Sequence, residues 1–289
     1  MASTAFSTIP SPLHPNVKFA VRLSQERGHA DHGWLKTFHT FNFASYYHPD
    51  YDQFGNLRVI NEDRVDPSSG FGKHPHREME IFSYIVSGEL EHKDSMGNVE
   101  ILKRGDVQMT SAGTGITHSE FNRNTSQVVH FLQIWVTPST FRLKPSYYTR
   151  HFTDAAKTNN LLKIVAPIPS GAEEAKHEDV PDSSPAPIHQ NFALYASILT
   201  PDSNGKVTYS FAPSPSVTRN VYIHVIQTSG YSTKPTPEIQ KGVAKVEVNG
   251  GVVLGEGDGL FAVGSGTEGE GIVLVNMGDV NAEVLLFEA

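Results

Sequence analysis

Phe71–Asn98 reads FGKHPHREMEIFSYIVSGELEHKDSMGN, and Gly105–Asn122 reads GDVQMTSAGTGITHSEFN. Within the first stretch, Glu80–Val86 is a short run rich in β-branched and aromatic residues, and Met96-Gly97-Asn98 supplies residues that tolerate the positive φ of a hairpin turn. Outward from this segment the pattern repeats. Val129–Val136, Val221–Gln227, Val243–Val248, Gly271–Asn276 and Glu283–Phe287 are short apolar runs, separated by turn-forming residues that include Asn249-Gly250-Gly251. Helical periodicity is scarce. Many short strands with turn signals between them predict an all-β chain of sandwich or barrel type.

The chain has 289 residues, long enough for two modest domains. Two β-rich stretches, about 41–138 and 194–288, flank a middle of different composition. Pro167–Pro187 is polar and rich in Pro and Ser, as expected of a long loop, and 212–216 suggests another loop inside the second domain. Tyr148–Lys157 is predicted to be a short helix. Gly105-Asp106 and Gly257-Asp258 each precede an apolar strand, which points to a duplicated barrel. The domains expected are residues 1–140 with the chemistry, 141–190 as linker with helix and loop, and 191–289 as a second barrel.

Composition narrows the chemistry. The absence of Cys excludes disulfides, thiolate zinc sites and cysteine catalysis. A net charge of −8 without a Lys/Arg cluster argues against direct nucleic-acid binding. No apolar run reaches the length of a membrane span, and the N-terminus has neither the charged start nor the apolar run of a secretory signal. The compartment expected is the cytosol, with the nucleus also open to a chain this small.

Fourteen His residues turn attention to metal. In a strand, residues two apart share a face, so His74 and His76 project together, as do His118 and Glu120. Three imidazoles and one carboxylate converging in a barrel suit a borderline divalent ion such as Fe(II), Mn, Co, Ni, Cu or Zn, with coordination positions left for other ligands. Other candidates are weaker. His29-Ala30-Asp31-His32 reads as a hydrated turn, Trp34 and Trp135 as core or pocket wall, and Gly264-Ser265-Gly266 lacks the Lys of a phosphate loop. Gln133 shares parity with Phe131 and Trp135 and is placed to face the metal cavity or to serve as an ordinary polar residue.

The spacing His74-x-His76-x3-Glu80 followed by Gly115-x2-His118-x3-Asn122 resembles the paired motifs of cupins. More narrowly, the two quoted stretches resemble pirins. Arg27–Tyr47, RGHADHGWLKTFHTFNFASYY, and the ending Glu283–Ala289 are similar to the shorter bacterial-type members assigned as quercetin 2,3-dioxygenases. The likeness is specific over about 20–150 and thins beyond. It implies a bicupin, two cupin barrels in tandem, with one mononuclear iron per chain in the first barrel and none in the second. By position the pirin ligands fall on His74, His76, His118 and Glu120, with Glu120 also the candidate catalytic base. In many other cupins the carboxylate comes from the first motif, here Glu80, so Glu80 competes for the fourth place or serves to hold an imidazole N–H. Two departures stand out. Glu78 occupies a position where many pirins have Gly, and the chain stops at Ala289 without the C-terminal extension of vertebrate-type pirins.

Two activities follow from the resemblance. One is O₂-dependent ring opening of a flavonol such as quercetin, with a small aromatic polyphenol and O₂ as partners. The other is a non-catalytic, redox-sensitive iron protein that binds protein partners. Fe(II) is the metal expected first, with Ni, Co, Mn, Cu or Zn as alternatives.

Overall fold

Glu80–Ser87 is buried at every position except Ser87, as a strand covered on both faces must be. In the computed structural model, which describes residues 7–168, 184–212, 218–235 and 241–289, this run lies inside a seven-stranded antiparallel sheet. The strand order is Ser146–His151, Asp106–Ser111, Glu80–Ser87, Val129–Val136, Leu57–Val65, Leu35–His39 and Gly28–Asp31. A four-stranded sheet, in the order Ser69–His76, Ile116–Asn122, Glu89–Asp94 and Val99–Lys103, accompanies it. Ile85, Phe131 and Val65 from the larger sheet pack with Leu90 and Leu102 from the smaller one. This apolar floor fills one part of the barrel, and the polar residues described below line another.

These strands belong to a compact unit made of Gly28–Thr153 and Ile164–Phe192. The other unit comprises Met1–Arg27, Asp154–Lys163 and Ala193–Ala289. Its larger sheet runs Ile9–Pro10, Lys18–Arg22, Gly259–Gly264, Arg219–Val225, Ala282–Glu288 and Ala193–Leu199. Its four-stranded sheet runs Lys206–Ser210, Gly271–Asn276, Lys245–Val248 and Val252–Gly255. Phe19, Val207, Ile223, Val246, Leu260 and Leu286 are among the residues of its core. Residues 7–27 therefore belong to the second unit and not to the first domain expected from the sequence. The cause is pairing: Phe19 lies opposite Ala262 and Val21 opposite Leu260.

The expected linker 141–190 is also largely ordered structure. Ser146–His151 is a strand paired with Asp106–Ser111. The helix expected over Tyr148–Lys157 shrinks to Asp154–Lys157, because Tyr148 and Arg150 alternate inward in the strand. Ala186–Ile188 pairs in parallel with Val165–Pro167. The interior of the expected loop, 169–183, and most of the second one, 213–217, lie outside the described residues.

Two turns bear on the duplication. Gly105 and Gly257 have φ of 91° and 79°, and the following Asp accepts a backbone N–H three residues back in each case. Lys103 N donates to Asp106 Oδ2 and Gly255 N to Asp258 Oδ2, both at 2.8 Å. The same turn opens a strand in both units. Asn249-Gly250, both at positive φ, turn the chain in the three-residue loop between the paired Val248 and Val252, where such φ values favour Asn and Gly.

Candidate metal centre

Ile116–Asn122 alternates strictly, with Ile116, His118, Glu120 and Asn122 buried and the residues between them partly exposed. It pairs antiparallel with Ser69–His76, placing His118 opposite His74 and Ile116 opposite His76. The three imidazoles consequently meet. Their ring centroids are 4.5–4.8 Å apart, and one nitrogen from each lies within 4.8 Å of the others.

The hydrogen-bonding pattern suits a cation. His74 Nδ1 donates to Gly72 O at 2.7 Å, which leaves Nε2 as the nitrogen able to face an ion. That Nε2 is 3.0 Å from His118 Nε2. Two nitrogens bound at right angles to one ion, each at about 2.1 Å, would be about 3.0 Å apart. A ligating imidazole held by a backbone carbonyl through its other nitrogen is the usual support of such sites. Burial pushes His76 down to about 4, helped by the neighbouring His74. Burial lowers His118 further, with His76, His74 and His92 adding to the effect. Both rings are therefore neutral near pH 7, the form that binds a metal.

Glu120 stands beside the trio, outside the 4.8 Å group. The register shifts between His118 and Glu120, where the partner strand carries one extra residue, so Glu120 lies opposite Phe71. Its Oε1 accepts from Ser83 Oγ at 3.1 Å and its Oε2 from Gln133 Nε2 at 2.8 Å. Burial raises its pKa, opposed by the Ser83 hydrogen bond, the nearby His74 imidazole and the Gln133 hydrogen bond.

Glu80 goes elsewhere. Its Oε1 accepts from Ser111 Oγ at 2.6 Å, and its Oε2 lies 3.5 Å from His189 Nδ1. Strand parity explains this: Ser83 turns toward Glu120, so even-numbered Glu80 points to the opposite face. The expectation that Glu80 steadies one of the clustered imidazoles is corrected by that parity; the imidazole it approaches is His189. Gln133 and Trp135, which share parity, do face the site. Trp135 packs edge-on to His76 with centroids 5.0 Å apart.

His92 was not among the expected residues. It is fully buried, with its ring 5.2 Å from that of His118 and its Nε2 3.4 Å from Asp94 Oδ2. Its parity with Leu90, buried on the same strand, was the available signal. Of the weaker candidates, Asp31 Oδ1 accepts from Gly33 N at 2.8 Å, as in an ordinary turn. Glu78 has φ of 55°, the left-handed region that Gly enters without strain. Its carboxylate accepts from Arg142 N at 2.9 Å, and it is absent from the lining of the cavity.

That cavity measures about 460 Å³, within the roughly 300–1,000 Å³ typical of small-molecule sites. His74, His76, Glu120 and Gln133 form one part of its lining, and Trp34, Phe43, Phe71 and Trp135 contribute aromatic surface.

The Pirin family model matches residues 20–136. A quercetin 2,3-dioxygenase of Escherichia coli (strain K12) is 43% identical over 182 residues, spanning 63% of this chain and 72% of that protein. The chain belongs to the pirin family. Among solved structures, that of YhhW from Escherichia coli is 34% identical with a TM-score of 0.73, covering 93% of this chain and 97% of that one. The bacterial pirin YhhW in complex with nickel(II), also from Escherichia coli, is 33% identical with a TM-score of 0.71, covering 93% and 98%. As a pirin, the chain is an all-β bicupin. Among the described residues, helix is confined to short turns such as Asp154–Lys157.

Proposed function

We propose that this pirin is a mononuclear metal-dependent dioxygenase that opens the heterocyclic ring of a flavonol such as quercetin, with Fe(II) as the metal. His74, His76 and His118 would hold the ion and Glu120 would complete the set. The observation that carries the reading is the 3.0 Å approach of two imidazole nitrogens beside a buried carboxylate, at the edge of an aromatic-lined cavity. A likeness to a quercetin 2,3-dioxygenase and to a pirin solved with nickel(II) supports it.

A bound divalent ion supplies Lewis acidity at a substrate hydroxyl and a fixed point at which substrate and O₂ can be brought together. The chain's own residues do the rest. Glu120, whose pKa is raised by burial, would serve as the acceptor for a substrate hydroxyl proton. Ser83 and Gln133 each donate to one of its oxygens and so fix the carboxylate's orientation. Trp34, Phe43, Phe71 and Trp135 present flat apolar surface to a planar ligand and limit water around it.

The test has two arms. Protein purified without added metal is analysed by mass spectrometry for metal content, with about one ion per chain expected. Oxygen uptake with quercetin is then followed for the Fe, Ni, Co, Mn and Cu forms. No uptake with any of them, across a panel of flavonols, would defeat the enzyme reading.

A further inference from the structure

The cavity has a second polar wall that the reaction as described leaves unused. Alternate residues of Leu57–Val65 share a face, so Asn61 and Asp63 enter the cavity together. Their antiparallel partners are His39 and Thr37, which line it as well. His39 Nδ1 donates to Asn61 Oδ1 at 2.8 Å, fixing the amide. Asp63 is 4% exposed, and its Oδ1 has no hydrogen-bond partner. Asp63 lines the cavity, and a buried, unpartnered carboxyl oxygen on a lining residue is costly unless a group entering the cavity satisfies it.

The protonation of Asp63 fits that role. Burial pushes its carboxyl up to about 7, against a hydrogen bond from Thr37 and with the charges of Glu120 and Glu62 adding to the rise. Near neutrality a large fraction carries a proton, so the group can donate to a ligand oxygen or accept from a ligand hydroxyl.

We propose that Asp63, flanked by Thr37 and Asn61, is a second recognition pole that hydrogen-bonds a ligand hydroxyl other than the one directed at the histidines, and so sets a preference for polyhydroxylated aromatic ligands. The inference rests on the flavonol reading above.

The test is equilibrium binding without oxygen, so that turnover plays no part. Dissociation constants for quercetin and for 3-hydroxyflavone, which lacks the additional hydroxyls, are measured on metal-loaded protein. The wild type should favour quercetin by roughly tenfold, the worth of about one buried hydrogen bond. Asp63→Ala enlarges an existing cavity and should bring the ratio to within about twofold at unchanged metal content. Asp63→Asn, which keeps a donor and an acceptor, should restore most of it. If Asp63→Ala does not fold, Asn61→Ala carries the test with the same expected loss.

A wild-type ratio within about twofold, or a full ratio retained in the alanine variant, overturns the second pole. Binding of neither compound overturns the flavonol reading and the pole with it. Equal binding of both overturns the pole alone. Absent oxygen uptake with an intact preference defeats only the enzyme reading.

Discussion

Replacing Glu120 by Gln separates the metal-binding function of this carboxylate from its place in the packing. Both oxygens are already held, by Ser83 and Gln133. The Ser83 hydroxyl also lies 3.4 Å from Gln133 Oε1, so reversal of the Gln133 amide can accommodate the new side chain. Burial disfavours the ionised carboxylate, and a neutral amide removes that penalty. The metal-free variant should therefore melt no lower than the wild type at pH 8. Its response to metal should fall sharply. Loss of an outer-shell partner costs about 10–100-fold in affinity, and loss of a charged ligand should reach at least the upper end. At a metal concentration of 100 times the wild-type Kd, binding stabilises the fold by about 2.7 kcal/mol; a 100-fold weaker site leaves about 0.4 kcal/mol. At roughly 2–4 °C per kcal/mol, a metal-induced rise of about 5–10 °C would shrink to about 1–2 °C. The assay is thermal unfolding with and without Fe(II) or Ni(II), with Glu80→Gln as control. Because Glu80 faces Ser111 and His189, its variant should keep the full metal-induced rise. The reasoning is refuted if Glu80→Gln abolishes that rise while Glu120→Gln preserves it.

Other consequences are open to measurement. In metal-loaded Glu120→Gln, turnover of quercetin at full occupancy should drop by about 10²–10⁴-fold, the usual worth of a positioned proton acceptor; an unchanged rate would remove Glu120 from the proton transfer. His76 has a folded pKa of about 4 against 6.5 for the free side chain, so the unfolded state takes up the proton first as pH falls. Stability of the metal-free protein should then decline from about pH 6.5 toward pH 4, and metal should stay bound well below pH 6; wholesale loss of metal at pH 6 would contradict the burial of the site. Asp63 has the opposite sign. Its pKa is raised from 3.8 to about 7, so its burial costs stability as pH rises between those values. Asp63→Asn should gain on the wild type across that window, by at most about 4 kcal/mol at 1.36 kcal/mol per unit, in denaturant melts at several pH values. Glu78→Gly should change stability by less than about 1 kcal/mol, since relief at φ 55° offsets the lost bond to Arg142 and the added freedom of the unfolded chain. Glu78→Val should cost about 1–2 kcal/mol.

Much of the site was legible because strand parity is a strictly local property. His74 with His76, and His118 with Glu120, could be assigned to common faces from spacing alone. The same rule, applied to Ser83 and Glu80 together, separates the two carboxylates. Three features were not legible. The register shift after His118 depends on the partner strand and sets Glu120 beside the imidazole cluster. His92 and Asp63 look like ordinary polar strand residues, and their burial arises only when distant strands cover them. The domain boundary failed for a similar reason. Nothing in Lys18–Arg22 announces that its partner strand begins at Gly259.

That last pairing has a bearing on how the chain is made. Synthesis runs from the N-terminus, and domains generally fold as they emerge. Gly28–Thr153, which carries every residue proposed to hold the metal, can close its sheets while the remainder is still untranslated. Lys18–Arg22 must wait, since its partner Gly259–Gly264 emerges only about 240 residues later. An early-emerging strand whose N–H and C=O groups still lack their partner is open to wrong pairing during that interval. The metal-holding unit should thus mature first on the ribosome, and the other should complete later, when Gly259–Gly264 arrives to pair with Lys18–Arg22.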